Sequence, residues 1–475
     1  MTARFGATLV LSLFSLILSA QTSAEKTLTG ILQKEEYKQA SVGVLVVDPS
    51  NGEELLSYNP DQLLVPGSTL KLITTATALR ILGPEYRFIT SLGYTGNVDE
   101  KGVLHGDIVV RGGADPALGS EYFQTHYFGF LNVWANAIKS SGIRKVEGNL
   151  VLDGSVYDNE KVPATWIWED LGNYYGAGPD AFTVYDNMFR ITFQSHKNPG
   201  LPTRIIAWYP RIEGIKIQNE VLSSEENADN AYVFGSPLDK DRVIRGTIPA
   251  NRKAFTIKAS LPIPGEMLAL DFKNALAKQG VFIDGETQFH EVRSDDFQVV
   301  YLQESPSLAD ITKVLNHESV NLFAEHLLKQ LSVEETGIGN REKSIEIIKD
   351  FWKEKGLDSG HIFMEDGSGL SHFNAVSPRF FVNLLSVMDG NDAFVQSLPT
   401  AGGGTLYQFG QENFPGATLE AKSGSMTRVR CYSGYLTTNS GRRLVFSIMF
   451  NHFSGSHSAL IREIEQLLVE LKSNY

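Results

Sequence analysis

Residues 66–82 read PGSTLKLITTATALRIL, with a serine and a lysine three positions apart near the start. After Gly67 the run contains neither glycine nor proline until Gly83-Pro84, which is the pattern of a helix with a defined beginning and end. We therefore predict a helix of about four turns. Ser68 lies at its N-terminus, and Lys71 follows one turn later on the same face.

Ser68 and Lys71 have the chemistry of a nucleophile and its base. A serine hydroxyl is a weak nucleophile at neutral pH, and a lysine can activate it only when the amine is neutral. Burial or a second cation lowers the pKa of a lysine, and Lys422 is the candidate for that cation. Backbone N–H groups at the helix start can stabilise an oxyanion. The same spacing also fits an N-cap serine followed by a solvent-facing lysine.

The spacing alone does not identify the pair, because Ser23 and Lys26 repeat it. A second motif, Ser319-Val320-Asn321, lies between helical patterns at residues 308–315 and 322–331. Side chains two apart in an extended segment point the same way, so Ser319 and Asn321 can face one cleft. An ordinary capping turn between two helices is the alternative interpretation.

A third motif, Lys422-Ser423-Gly424, ends a strand-like run that begins at residue 417, and Ser425 follows it. The edge of a strand beside a cleft can bind a peptide as an added strand. A plain strand end would have the same sequence pattern. Each motif is weak by itself, and their order along the chain carries the argument.

In that order, the motifs resemble the Ser-x-x-Lys, Ser-x-Asn and Lys-Thr-Gly set of the penicillin-recognising serine enzymes. Serine replaces the commoner threonine at position 423 and keeps the hydroxyl. Ser68 and Ser319 are 251 positions apart (319 minus 68), whereas Ser319 and Lys422 are 103 apart (422 minus 319). The long first interval resembles that of class C low-molecular-mass penicillin-binding proteins, the D-alanyl-D-alanine carboxypeptidases/endopeptidases of peptidase family S13.

Further segments share this resemblance. They are Gly112-Gly113 with Asp115-Pro116, the DGSGLS run at residues 366–371 with Asn374 and Val376-Ser377-Pro378, and Leu398-Pro399 with Gly404-Thr405-Leu406. Two features depart from the family pattern. His372 stands where arginine is usual, which leaves open how a substrate side chain is held, and residues 401–404 look one residue short.

The resemblance implies a role for each motif residue. Ser68 attacks the carbonyl of the penultimate D-Ala, and Lys71 takes its proton. Ser319 and Lys422 pass a proton to the leaving amine, and Asn321 holds the substrate backbone.

The strand motif then binds the end of the substrate. Lys422 and the Ser423 hydroxyl hold the terminal carboxylate, beside Gly424. The N–H of Ser425 forms an oxyanion hole with that of Ser68. We expect no metal and no cofactor, because the histidines form no metal-binding pattern.

The expected fold class is α/β, with a transpeptidase/β-lactamase-like core made of an antiparallel sheet flanked by helices. Residues 25–86 and 297–475 form this penicillin-binding domain. Residues 87–296 form a large β-rich insertion of one or two domains. Strand patterns in the insertion cover residues 88–93, 104–111, 149–153, 189–193, 204–208 and 254–259, and helical patterns cover 128–140 and 266–279.

The bulk composition limits the possible partners and cross-links. A net charge of −13 argues against a nucleic-acid partner, which would favour a basic surface. Cys431 is the only cysteine, so no disulfide can form within the chain, and a buried inert thiol is expected.

Residues 1–24 have the pattern of an export signal. Arg4 precedes an uncharged run at residues 5–20, and cleavage after Ala20 or Ala24 fits the small residues that follow. An uncleaved anchor is the alternative. The expected location is the periplasm or cell envelope, with membrane-surface association left open.

The predicted function is that of a serine D-Ala-D-Ala carboxypeptidase, with DD-endopeptidase activity as well. Its partners would be peptidoglycan stem peptides, and β-lactams would acylate Ser68 because they present a strained amide to the same site. Two alternatives remain open from the sequence. One is a β-lactamase or esterase built on this site, and the other is a non-catalytic cell-wall-binding protein.

Overall fold

The computed structural model describes residues 22–475. Most of the predicted signal peptide, residues 1–24, lies outside this range and stays a prediction. The first part of the core contains α1 (Ser23–Leu32), β1 (Ser41–Asp48), β2 (Glu53–Tyr58) and α2 (Lys71–Ile81). A 3₁₀ turn, Gly67–Leu70, leads directly into α2, so the predicted helix at Ser68 is confirmed.

The insertion is rich in strands, as predicted. Its elements are β3 (Ile89–Tyr94), β4 (Asn97–Val98), β5 (Val103–His105), β6 (Ile108–Arg111), α3 (Phe130–Ser140), β7 (Lys145–Val146), β8 (Leu150–Asp153), α4 (Trp168–Leu171), β9 (Met188–Gln194), β10 (Arg204–Tyr209), β11 (Lys216–Ser224), β12 (Asn230–Phe234), β13 (Asp241–Pro249), β14 (Phe255–Ser260), α5 (Pro264–Lys278), β15 (Phe282–Ile283), β16 (Thr287–Phe289) and β17 (Gln298–Glu304).

The chain then returns to the core. This part contains α6 (Leu308–Glu318), α7 (Asn321–Thr336), α8 (Arg341–Glu354), β18 (Ile362–Phe363), β19 (Ala375–Val376), α9 (Pro378–Met388), α10 (Asp392–Val395), β20 (Leu419–Met426), β21 (Val429–Thr437), β22 (Arg443–Asn451) and α11 (His457–Asn474).

Both ends of the described chain build one antiparallel sheet, in the order β2-β1-β22-β21-β20. Side chains alternate between its two faces. Val44 and Val46 pack with α1 and α11, whereas Leu45 belongs to the core formed with α2, α7 and α9. Each such fully buried aliphatic side chain contributes about 1.5–3 kcal/mol. The predicted α/β core is confirmed, and β20 forms one edge of its sheet.

The insertion differs from the prediction in two respects. The strands β11, β12 and β13 form a sheet that the sequence patterns did not indicate, because β11 is half exposed and lacks a clean apolar alternation. The strand β17 pairs with β3, so the insertion's sheet extends past residue 296 although the predicted boundary assigns residues 297 onward to the core. Pairing across more than 200 residues leaves no local signal.

None of the helices within residues 22–475 has the length and apolar character needed to cross a bilayer. At the start of this range, α1 is closed by a capping box in which Thr22 accepts from the Glu25 N–H and Glu25 accepts from the Thr22 N–H. Ala24 is buried against the rest of the core. The helix thus begins at Ser23, so cleavage after Ala24, the later of the two predicted positions, would remove its first two residues.

Candidate active site

Ser68 is placed by a tight approach between the 3₁₀ turn and the sheet edge. Gly67 has φ +52°, and a Cβ there would lie 3.1 Å from the Ser425 nitrogen. Thr69 tightens the turn, because its hydroxyl donates to the Pro66 carbonyl at 2.8 Å. Ser68 is half-buried and lines a cleft of about 410 Å³ between the core and the insertion.

Lys71 is completely buried, and its ammonium nitrogen donates to three oxygens. They are the Ser68 Oγ at 3.0 Å, the Asn321 Oδ1 at 2.6 Å and the Ser368 carbonyl at 2.6 Å. Burial lowers the pKa of Lys71 to about 7, against the opposing charges of Asp366 and Glu325. A large fraction of the amine is therefore neutral near pH 7 and can accept a proton from Ser68.

Lys422 lies on β20 and is also completely buried. Its Nζ donates to the Ser319 Oγ at 3.0 Å and to the Ser423 carbonyl at 2.9 Å. Burial holds the pKa of Lys422 well below its ordinary value, and the charges of Lys71 and Arg430 lower it further. Burial and a second cation were both predicted as causes of a neutral Lys71; burial is what lowers its pKa here, and the charges of Asp366 and Glu325 raise it.

Ser319 and Asn321 both line the cleft, but for a different reason from the one predicted. Ser319 ends α6 in a left-handed conformation, φ 59°, and Asn321 is the first residue of α7. The junction is a sharp turn between two helices and not an extended segment. Its geometry directs Ser319 to Lys422 and Asn321 to Lys71.

The loop at residues 174–179 folds back over the cleft. The Asn321 Nδ2 donates to the Tyr175 carbonyl at 2.8 Å, and Tyr174 and Tyr175 line the cavity. Both ends of the Asn321 amide are therefore bonded, one to Lys71 and one to this loop. The predicted role of Asn321 in holding the substrate backbone would require one of these bonds to exchange.

The strand β20 presents its open edge to the cleft. Ala421 donates its N–H to the Pro399 carbonyl, away from β21. Backbone N–H groups alternate between the two edges of a strand, so those of Ser423 and Ser425 point to the same side as that of Ala421. Ser425 is exposed and lines the cavity with Ser68. These positions suit the predicted oxyanion pair, the N–H groups of Ser68 and Ser425.

Gly424 is where the sheet and the Ser68 turn come closest. A Cβ at this position would lie 2.2 Å from the Pro66 carbonyl oxygen and 3.2 Å from the Ser68 nitrogen. We expect Gly424→Ala to push the turn away from β20 and to lower the rate of acylation by a β-lactam by about 100-fold, as a 1 Å misplacement does. The measurement is the second-order rate of labelling by a fluorescent penicillin.

Gly30→Ala is the matched control for this change. Gly30 lies at an exposed helical position of α1, where an added methyl group would meet nothing within 4 Å. Alanine is the better helix former, so this variant should label at the wild-type rate. Wild-type labelling of the Gly424→Ala protein would show that the turn tolerates displacement.

Two buried carboxylates beneath Lys71 were not predicted as site residues. Glu325 and Asp366 are both almost completely buried, and Asp366 belongs to the DGSGLS run that the sequence marked without assigning it a role. Glu325 could have been suspected from its position four residues after Asn321, which places both on one face of α7. Its partners lie more than 40 residues away, so no local pattern indicates its importance.

The cavity is also lined by His372, the residue that departs from the family pattern. His372 is exposed there and lines the same cavity as the buried Asp170, whose pKa is raised by burial against the effects of Tyr175 and His372. Gly369 and Leu370 line it together with Ser68. The cavity is therefore lined by the serine, an exposed histidine and a buried aspartate.

Cys431 and His326 are buried residues of the core and not part of the cleft. Burial raises the pKa of Cys431 to about 12, which makes it the inert core thiol that was predicted. His326 is buried between Tyr157 and Thr183, and burial lowers its pKa to about 3. It is a neutral core residue.

Comparison with known proteins places this site in a family. Residues 24–475 match the D-Ala-D-Ala carboxypeptidase 3 (S13) family. The chain belongs to this family. The predicted resemblance is therefore confirmed, and so is the prediction of a serine peptidase.

Curated relatives of the S13 chain are named for the same activity. It is 29% identical over 453 residues to the D-alanyl-D-alanine carboxypeptidase of Actinomadura sp. (strain R39), covering 91% of this chain and 82% of the relative. It is 25% identical to D-alanyl-D-alanine carboxypeptidase DacB of Haemophilus influenzae, covering 93% of this chain and 91% of the relative.

A solved structure shares the fold of this S13 chain. The crystal structure of penicillin binding protein 4 (dacB) from Haemophilus influenzae superimposes with a TM-score of 0.81 at 23% identity, covering 94% of this chain and 99% of that one. Another structure of that protein, complexed with a β-lactam, gives a TM-score of 0.77 at 22% identity, with 94% and 99% covered. At this identity the likeness supports the fold alone, and it agrees with the predicted transpeptidase-like architecture.

Proposed function

We propose that the protein is a serine D-Ala-D-Ala carboxypeptidase that acts through an acyl-enzyme on Ser68 and also cleaves D-Ala cross-links as a DD-endopeptidase. The observation that carries the proposal is the direct hydrogen bond from a buried lysine, Lys71, to the Ser68 hydroxyl. A buried lysine with a lowered pKa is the base that a serine nucleophile requires. Membership of the S13 family supports the same reaction.

Acylation would begin at the carbonyl carbon of the penultimate D-Ala. The Ser68 Oγ forms a bond to this carbon while its proton passes to the Lys71 Nζ. The N–H groups of Ser68 and Ser425 stabilise the oxyanion. The C–N bond to the last residue then breaks, and the departing nitrogen receives a proton.

The proton for the leaving amine would come through Ser319. Its hydroxyl accepts a hydrogen bond from Lys422, so Lys422 and Ser319 would relay to the leaving nitrogen the proton that Lys71 took from Ser68. Lys71 is then neutral again, so it can take a proton from the water that attacks the ester, and the Ser68 Oγ regains that proton as the ester C–O bond breaks. Free D-Ala leaves in the carboxypeptidase reaction, whereas a second stem peptide leaves in the endopeptidase reaction.

Recognition of the substrate terminus would use the edge of β20. An extended peptide can pair with this edge, because the N–H groups of Ser423 and Ser425 point toward it. The Ser423 hydroxyl and the Lys422 amine would hold the terminal carboxylate. β-lactams would enter the same cleft and acylate Ser68, and the crystallised β-lactam complex of the Haemophilus relative makes such a ligand reasonable for this fold.

The substrate class agrees with the predicted location. Peptidoglycan stem peptides occur outside the cytoplasm, and the predicted signal at residues 1–24 would bring the enzyme there. We therefore propose an exported enzyme of the periplasm or cell envelope, whose association with the membrane surface depends on whether that segment is removed.

The test is digestion of defined muropeptides by the purified mature protein, followed by mass spectrometry. The mixture contains a monomeric pentapeptide and a D-Ala-cross-linked dimer. We expect loss of one alanine from the monomer and splitting of the dimer into two monomers. An unchanged dimer would remove the endopeptidase part of the proposal, and two unchanged substrates would remove both activities.

A further inference from the structure

Glu325 lies one helical turn after Asn321 on α7, with its side chain 3% exposed beneath Lys71. Asn321 bonds to Lys71 directly. Side chains four residues apart on a helix share a face, so α7 directs an amide and a carboxylate toward the same lysine. A buried carboxylate is costly and needs compensating bonds.

Those bonds come from the loop that follows β18. The Ser368 N–H donates to the Glu325 Oε1 at 2.8 Å, and the Gly367 N–H donates to the Oε1 and Oε2 at 3.1 and 3.2 Å. The carbonyl of the same Ser368 accepts from the Lys71 Nζ at 2.6 Å. A continuous chain of contacts thus runs from Glu325 through one residue of the loop to the catalytic amine.

The loop is held closely on both sides. Thr74 of α2 donates its hydroxyl to the Gly367 carbonyl at 2.7 Å. A Cβ on Gly367 would lie 2.7 Å from the Ala324 carbonyl oxygen, so this segment rests directly on α7. Asp366 cannot replace Glu325 as the acceptor, because its two oxygens already accept from other donors. These donors are the N–H groups of Gly369 and Ser371 and the side chains of Trp166 and Asn374.

Titratable groups approach Lys71 from three elements. Glu325 faces it from α7, Asp366 from the loop and Lys422 from β20. Burial and Asp366 raise the pKa of Glu325 to about 7, while the loop N–H groups and Lys71 favour its charged form. The carboxylates raise the pKa of Lys71, in opposition to burial.

We propose that Glu325 is a positioning residue for Lys71, which fixes the Ser368 carbonyl that orients the amine and supplies a negative charge that opposes the effect of burial on it. The inference rests on the proposed function, because it assigns Lys71 as the base. It concerns a residue that does not touch the substrate, so its effect must be transmitted through the loop and through the electric field at Lys71.

The test is the pH profile of Ser68 acylation by a fluorescent penicillin in three proteins. Only the neutral amine accepts a proton, and Glu325 titrates near the same pH as Lys71, so the acidic limb of the wild-type profile reports the two groups together. Glu325→Gln removes a negative charge and should move this limb to lower pH by about one unit, with a lower plateau. Glu325→Asp keeps the charge but withdraws it from the loop by one methylene, so it should keep the limb and lower the plateau by about 10-fold.

Glu335→Gln is the matched control, because Glu335 lies on the same helix but is exposed and pairs with Lys343 at 2.9 Å. Its profile should equal that of the wild type. If the acidic limb of the Glu325→Gln profile stayed at the wild-type pH, the proposal would be overturned, whatever the loss of rate. If that variant does not fold, Glu325→Asp decides the matter, since a wild-type plateau there also overturns it. Wild-type protein that never labels would instead refute the proposed function.

Discussion

The Ser68→Ala protein is expected to form no covalent adduct with benzylpenicillin and to release no D-Ala from a pentapeptide. Ser68 supplies the oxygen that becomes the ester, and within residues 22–475 its hydroxyl is the one that accepts a hydrogen bond from the Lys71 amine. Removal of a serine nucleophile elsewhere lowers kcat by about a millionfold. The measurement is intact-protein mass after incubation with the antibiotic, alongside alanine release.

The fold should survive this change. Ser68 is half-buried and loses a hydroxyl without leaving a large cavity, so we expect the melting temperature to stay within about 2 °C of the wild type. Ser57→Ala, at an exposed position of β2, is the matched serine control and should acquire the full adduct. An adduct on the Ser68→Ala protein would mean that another residue is the nucleophile.

Lys71→Met is expected to reduce acylation by between about 10² and 10⁴-fold, the range for loss of a general base. Methionine nearly matches the length of lysine, is apolar and fits a site that is completely buried. It removes the cost of burying an amine, but it leaves the Asn321 and Ser368 oxygens without that donor. Because these effects oppose each other, the melting temperature at pH 7 should change little.

The pH dependence of stability isolates the first of these effects, the cost of burying an ionisable amine. The folded-state pKa of Lys71 is about 7, whereas the unfolded value is that of an ordinary lysine, 10.5. Between these values the unfolded state binds more protons, so the contribution of Lys71 makes the wild type more stable as pH rises from 7 toward 10.5. Lys71→Met lacks this contribution. The wild type should therefore gain stability relative to the variant over that range, as measured by urea unfolding.

If the free energies of unfolding of the wild type and of Lys71→Met changed in parallel from pH 7 to 10, Lys71 would have an ordinary pKa in the folded protein. Full acylation of Lys71→Met would show that a different group is the base. Lys422→Met provides a useful comparison, because it removes the other buried amine while leaving the Lys71 contacts in place. The two variants together distinguish the base that activates Ser68 from the amine that supplies Ser319.

Local sequence determined the parts of the protein that depend on neighbouring residues. The run from residue 66 to 84 contains a helix start, an apolar body and a helix stop within 19 positions, and the structure has a helix there. The hairpin of β1 and β2 and the strands β21 and β22 follow the same logic of alternation and turn residues. The three motifs and their spacing were sufficient to indicate the family, because each motif is read within a few residues.

Only the tertiary structure decided the chemical state of the site. The low pKa of Lys71 comes from complete burial beneath segments 250 and 297 positions away, Asn321 and Ser368. The left-handed turn at Ser319, the place of β17 in the insertion's sheet and the contacts of Glu325 likewise depend on long-range packing. Helix propensity and hydrophobic periodicity act over a few residues, so sequence patterns identify the reacting groups. Desolvation and charge act between whichever residues the fold brings together, so the protonation of those groups and the contacts that hold them are decided by the tertiary structure.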